Sequence, residues 1–215
     1  MANRASNYWK VIGVAGALAG LVAWPGTGQA QLDLGGILPP ILPGPAPTTA
    51  TGQASVATAS VLGNVTSLVD TGTLTDPSDP LGTGLPIGSI PGLLTAESLH
   101  AVTMGWTDQV ASEASLSNLA MSVAGTGVSA DFIQSRALAV SGAGASGLTS
   151  IEGLTIGGVP VSATGAPNQA ISLAGLSVIL NEQIQSASGI VVNALHVTTP
   201  DGLINVVVGS AKAGI

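Results

Sequence analysis

Residues 114–140 read ASLSNLAMSVAGTGVSADFIQSRALAV. Over residues 114–124 and again over 128–140, small or apolar residues alternate with Ser, Asn and Gln, and glycine stands between the two runs. A period of two puts successive side chains on opposite faces of an extended chain, so this stretch predicts paired β-strands and an all-β fold. The pattern continues outward into further candidate strands at 94–104, 150–156, 170–180, 190–198 and 203–210. Ala, Gly and Ser have low β propensity, which leaves the strand ends loosely defined. Helix is the competing assignment for 95–116, where Glu97, Asp108 and Glu113 could share an exposed face.

An internal echo favours strands. TAESLHA at 95–101 matches SADFIQS at 129–135, and SLSNLAMSVAG at 115–125 matches SIEGLTIGGVP at 150–160, at offsets of 34 and 35. A fainter copy is NALHVTT at 193–199, followed by the hairpin-turn signal Asp201-Gly202 and the apolar run 203–208. A duplicated two-strand unit suits an antiparallel β-sandwich or, alternatively, a β-solenoid. The abundance of Ala, Ser and Gly can also generate such echoes by composition alone.

The first residues carry an address. Arg4 and Lys10 precede an apolar run from Val11 to Trp24, then Pro25 and the small-residue stretch Gly28-Gln29-Ala30. The run is too short for a stable membrane span and is followed by a peptidase-like site, so 1–30 is expected to be a secretory signal peptide, with an uncleaved anchor as the alternative. Cleavage after Ala30 leaves Arg136 and Lys212 against eleven acidic residues, a net charge of −9. Two isolated cations cannot release counterions from a phosphate backbone, so nucleic acid is excluded as a partner, as is an anionic membrane after cleavage. The chain has no cysteine, which excludes disulfides and thiolate chemistry.

Prolines 39, 40, 43, 45 and 47 make 31–53 an extended linker. Residues 54–69 read as a short strand-like piece, and the breaker-rich stretch 76–92 separates it from the main β domain expected at 93–215.

No reaction centre is legible. His100 and His196 are 96 residues apart and in no metal-ligand spacing, so each is expected to end a strand or face solvent, with His100 and Glu97 at most a weak pair. No GxSxG elbow is present, and the Asp131 and Glu152 carboxylates have only Trp106 and Phe132 as aromatic company in the main domain. The glycine-rich GAGASG at 142–147 reads as a turn, since no Lys completes a phosphate loop. DPSDP at 76–80 offers two carboxylates for calcium without the DxDxDG spacing. The expectation is no catalytic residue, no cofactor-binding residue and no metal site.

The C-terminal third contains GLTIGGVPV at 153–161, the turn Gly165-Ala166-Pro167-Asn168-Gln169, LNEQ at 180–183, VNALHV at 192–197 and the closing GSAKAGI at 209–215, with VSADFIQSRA at 128–137 upstream. In these phrases the chain resembles the choice-of-anchor P family. The resemblance implies an exported bacterial surface domain with no reaction and no cofactor. The sequence departs from anchored members in showing no LPxTG-like signal and no terminal apolar helix with a basic tail before Ile215, which puts anchoring in doubt. Asn168, Asn181 and Asn193 read as structural residues at turns or strand ends, and Glu182 reads as a solvated strand edge or a partner-facing group.

The expectation is thus a non-catalytic secreted or cell-surface structural or matrix protein that contacts itself or other matrix components. Alternatives are a fibre subunit whose 54–69 segment adds to a neighbour's sheet, and a weak carbohydrate- or calcium-dependent binding module.

Overall fold

Alternation of small apolar and polar side chains produces strands throughout the part of the chain that the computed structural model describes, residues 50–76 and 80–215. The expected signal peptide and nearly all of the 31–53 linker lie outside the described residues, as do positions 77–79 of the DPSDP stretch. The strands are β1 (Thr51–Val61), β2 (Asn64–Asp70), β3 (Leu81–Ile90), β4 (Leu94–Gly105), β5 (Gln109–Val123), β6 (Thr126–Val140) and β7 (Gly144–Glu152). They continue as β8 (Thr155–Ile156), β9 (Val159–Pro160), β10 (Gln169–Leu173), β11 (Leu176–Ser186), β12 (Gly189–Thr198) and β13 (Ile204–Gly214).

Two antiparallel sheets pack face to face as a β-sandwich. The first has the order β10-β11-β12-β13-β1-β2, and the second runs β3-β4-β5-β6-β8-β9, with β7 also on β6. In the second sheet only β6 against β8 is not consecutive in the chain, and in the first every neighbour but one is consecutive. The exception is β1 against β13, paired from Thr51↔Gly214 to Val61↔Ile204. Consecutive antiparallel pairing within open sheets excludes the solenoid alternative, and the helix alternative for 95–116 is replaced by β4 and β5.

The expected domain boundary at residue 93 is corrected. The 54–69 segment is not set apart from the domain; it forms β1 and β2 within the first sheet, because Ala54, Val56, Ala57 and Ala59 are all buried against the second. The stretch 76–92 is not only linker, since it contains β3. Pro86 is tolerated there because β3 lies at an edge and Pro lacks only a donor. The strand expected at 170–180 is two strands, turned at Gly175 (φ 83°).

Alternation changes phase once in the long strands, along one line across each sheet. In the first sheet the consecutive pairs Val56 and Ala57, Ala194 and Leu195, and Val208 and Gly209 are all buried. In the second, Glu97 and Ser98, Ser117 and Asn118, and Asp131 and Phe132 all turn away from the core, between buried flanks such as Leu116 and Leu119. Residues with positive φ mark these lines: Val69 (51°), Asn181 (50°) and Gly209 (64°) in the first, Ser98 (49°) and Asn118 (49°) in the second, and Gly153 (64°) just after β7. Each inserts an extra half-period and bends its strand, as a β-bulge does. Neighbouring strands shift together, so pairing resumes beyond the bend, with Leu180↔Leu195 and Glu182↔Asn193 on either side of Asn181. The sequence echo belongs to this geometry: it superposes Asn118 on Gly153 and Ser98 on Phe132, all four at a bend.

The interior holds mostly small side chains. Burial of a methyl-sized group contributes about 0.8 kcal/mol, so an Ala-rich core relies on many small terms and on close sheet approach. At Gly147 that approach leaves no room for a Cβ, which would overlap Val192 Cγ2. A polar chain also crosses the interior: Thr103 Oγ1 donates to Ser112 Oγ (3.1 Å), which donates to the Lys212 carbonyl (2.6 Å).

Candidate functional site

A cluster of hydrogen-bonded polar side chains lies on the outer face of the first sheet, beside its bend. Because Ala194 and Leu195 both turn inward, the outward neighbours Asn193 and His196 flank one carboxylate, that of Glu182 on the adjacent strand. Asn193 Nδ2 donates to Glu182 Oε2 (2.6 Å), and His196 Nδ1 lies 3.0 Å from Oε1 and 2.9 Å from Oε2. His196 Nε2 lies 3.1 Å from Asn205 Oδ1 on β13. On β1 and β2 the hydroxyl oxygens of Ser55 and Thr58 are 3.4 Å apart and those of Thr58 and Ser67 are 3.2 Å apart.

A Glu–His pair has the makings of an acid-base dyad, but here both carboxylate oxygens and both ring nitrogens already face neighbours. Among the described residues no hydroxyl or thiol is hydrogen-bonded to the pair. The arrangement ties β11, β12 and β13 together across the bend. It also corrects two expectations: His196 neither ends a strand nor faces solvent, and Glu182 is not a solvated edge group, their side chains being 19% and 14% exposed. The cause is the bend, which folds a polar face over itself.

Asn168 and Asn181 adopt left-handed backbone (φ 58° and 50°), and Asn181 and Asn193 are buried. Asn181 Nδ2 donates to the Gly165 carbonyl (2.8 Å), and Asn168 Oδ1 accepts from Gln183 N–H (2.8 Å), so both hold the 161–168 connection onto β11.

The remaining candidates are scattered. His100 is exposed in mid-β4, and Glu97 turns to Asn118, whose Nδ2 donates to Glu97 Oε2 (2.8 Å). The Asp131 carboxylate lies against Gly153, and Glu152 pairs in register with Phe132. Trp106 bonds to Gln109 at one end of β5, while Phe132 is opposite Ser117, eight residues further along. At about 3.3 Å per residue the two aromatics are ~26 Å apart and form no shared platform. The GAGASG stretch is a turn leading directly into β7. Among the described residues no group of three or more His, Cys, Asp or Glu could hold a metal ion, and no helix is long and apolar enough to cross a membrane.

Sequence reasoning missed two surface features. One is a groove of about 530 Å³ on the outer face of the second sheet, where Met104, Leu138 and Leu148 surround an ion pair between Arg136 and Glu113. The other is the character of the sheet edges. Among β2, β3, β7, β9 and β10 only Asp70 and Glu152 are charged and no Lys or Arg occurs. Val65 (67%), Ile87 (68%) and Val159 (63%) stand exposed there. A count of charges per predicted strand would have found the second feature once strand order was known. The groove needed cross-strand register.

Comparison of the chain with protein-family models, with curated proteins and with solved structures finds no match.

Proposed function

We propose that this chain is a non-catalytic structural component of an extracellular or cell-surface matrix, exported and acting by contact with further copies of itself. The observation that carries this reading is the state of the sheet edges. Unpaired edge strands are templates for pairing with another chain, and proteins that stay monomeric guard them with lysine and other charges. Here Glu97, Glu113, Asp131, Arg136, Glu182 and Lys212 all sit on interior strands, while the edges expose aliphatic side chains. Asp70 at the end of β2, Glu152 at the end of β7, Pro86 in β3 and Pro160 in β9 are the guards that remain. The N-terminal sequence and the resemblance to the choice-of-anchor P family support export. The saturated Glu182–His196 pair supports a role without chemistry.

Edge-to-edge joining replaces strand exchange as the mode of assembly in this reading, since β1 lies between β13 and β2 and its release would open the first sheet. β2 and β3 adjoin along one side of the sandwich, and a heterologous contact between opposite edges would propagate as a filament. The test is sedimentation velocity and electron microscopy of the mature chain against a Val65→Lys, Ile87→Lys variant, with fractionation of the native culture. The reading expects matrix or envelope localisation, and concentration-dependent polymers that the variant abolishes. A wild-type chain that stays monomeric at high concentration and is found only free in the medium overturns it.

A further inference from the structure

We infer that the groove on the outer face of the second sheet is a binding site for a small amphiphilic anion, an aliphatic body carrying a carboxylate. The site is built from cross-strand register. Val102, Glu113, Arg136 and Leu148 form one row across β4, β5, β6 and β7, and Met104, Ala111, Leu138 and Ser146 form the next. At 4.7–4.9 Å between strands each row spans ~14 Å, the size of a small organic molecule, and the groove volume of about 530 Å³ is in the usual range of such sites.

The polar centre of the groove is oriented. Glu113 Oε1 accepts from Gln134 Nε2 (2.8 Å), and Oε2 lies 2.7 Å from Arg136 Nε. Both carboxylate oxygens are thereby engaged, and the guanidinium is gripped by its inner nitrogen. The Arg136 side chain is 53% exposed, so the guanidinium is held on the Glu113 side and reaches solvent on the other. A guanidinium fork offers two parallel donors to a carboxylate, a geometry that lysine cannot supply. Arg136 is the only arginine among the described residues, in a chain whose acids outnumber its bases. It stands between Leu138 (37% exposed), Leu148 (53%) and Met104 (38%). An anion with an aliphatic tail matches both the guanidinium and the apolar floor beside it. The inference is independent of the proposed matrix role.

Octanoate is the probe, with octan-1-ol and acetate as body-only and head-only controls, measured by isothermal titration calorimetry on the mature chain. Octanoate is expected to bind saturably at one site, and each control to bind weaker by about tenfold or more. Arg136→Gln is expected to lower octanoate affinity about tenfold, and Leu148→Ser, at an exposed position that leaves the fold intact, to lower it severalfold. Circular dichroism verifies that both variants are folded. Absence of saturable octanoate binding, equal binding of octan-1-ol or acetate, or wild-type affinity in Arg136→Gln would each overturn the assignment.

Discussion

The carboxylate of Glu182 and the imidazole of His196 face each other across the outer side of β11 and β12, with His196 Nδ1 within 3.0 Å of both carboxylate oxygens. Asn193 adds a third contact to the same carboxylate, and all three side chains are largely shielded from water. Removing one partner of a shielded pair leaves the others desolvated and unmatched, which costs more than the pair itself contributes. Glu182→Ala is therefore expected to destabilise the fold by about 2–3 kcal/mol. In a double-mutant cycle with His196→Ala, read by urea denaturation, the two losses should be clearly less than additive.

Ser135 makes the opposite case. Its side chain is fully buried on β6, and its Oγ has no hydrogen-bond partner among the described residues. A buried hydroxyl without a partner costs about 1–3 kcal/mol of desolvation, so Ser135→Ala is expected to raise stability by roughly 1 kcal/mol. Thermal denaturation checks it; a lower melting temperature would mean that the hydroxyl is satisfied in solution.

The close approach at Gly147 predicts a coupled pair. Gly147→Ala places its Cβ against Val192, a fully buried side chain on the facing sheet, and should cost about 1–3 kcal/mol through overpacking. Val192→Ala on its own should also destabilise, by leaving a small cavity. Together they should recover part of the loss, and the interaction energy from denaturant midpoints measures how much.

Asp201, in the turn between β12 and β13, accepts hydrogen bonds from Thr199 Oγ1 (2.6 Å) and Leu203 N–H (3.0 Å), and these hold its carboxyl below the ordinary aspartate value. A folded-state pKa lowered in this way contributes stability above the unfolded value of about 3.9. That contribution disappears as pH falls through the lower folded value. Asp201→Asn should therefore flatten the acid side of the stability profile below about pH 4 and change little at neutral pH. A carboxyl titration by NMR with its midpoint at or above the ordinary value would contradict the turn geometry.

Much of the strand content was legible because long runs such as 114–140 alternate on either side of a single phase change per strand, and alternation responds only to which face is buried. What alternation cannot convey is the partner. The pairing of Thr51 with Gly214 joins positions remote in sequence, so a segment preceded by prolines read as a lead and not as the centre of a sheet. β3 was hidden because Pro86, Gly82, Gly84 and Gly88 carry the signature of a linker, and only an edge position explains their tolerance. Glu182 and His196 were each visible as residues. Their meeting depended on a bend whose only local traces are a skipped beat in the alternation and an Asn, Ser or Gly beside it.

The placement of β1 between β2 and β13 has a consequence for how this chain acquires its shape. The β1–β2 hairpin has no lasting neighbour in its sheet until β13 has been delivered, so completion of the sheet waits for nearly the whole described length of chain. The second sheet has all its strands before β13 exists, so the first sheet is the last part of the sandwich to close. By the same geometry, a short link from Gly214 to Thr51 would let the molecule be cut open elsewhere, for example at the turn after Gly142, with the sandwich retained.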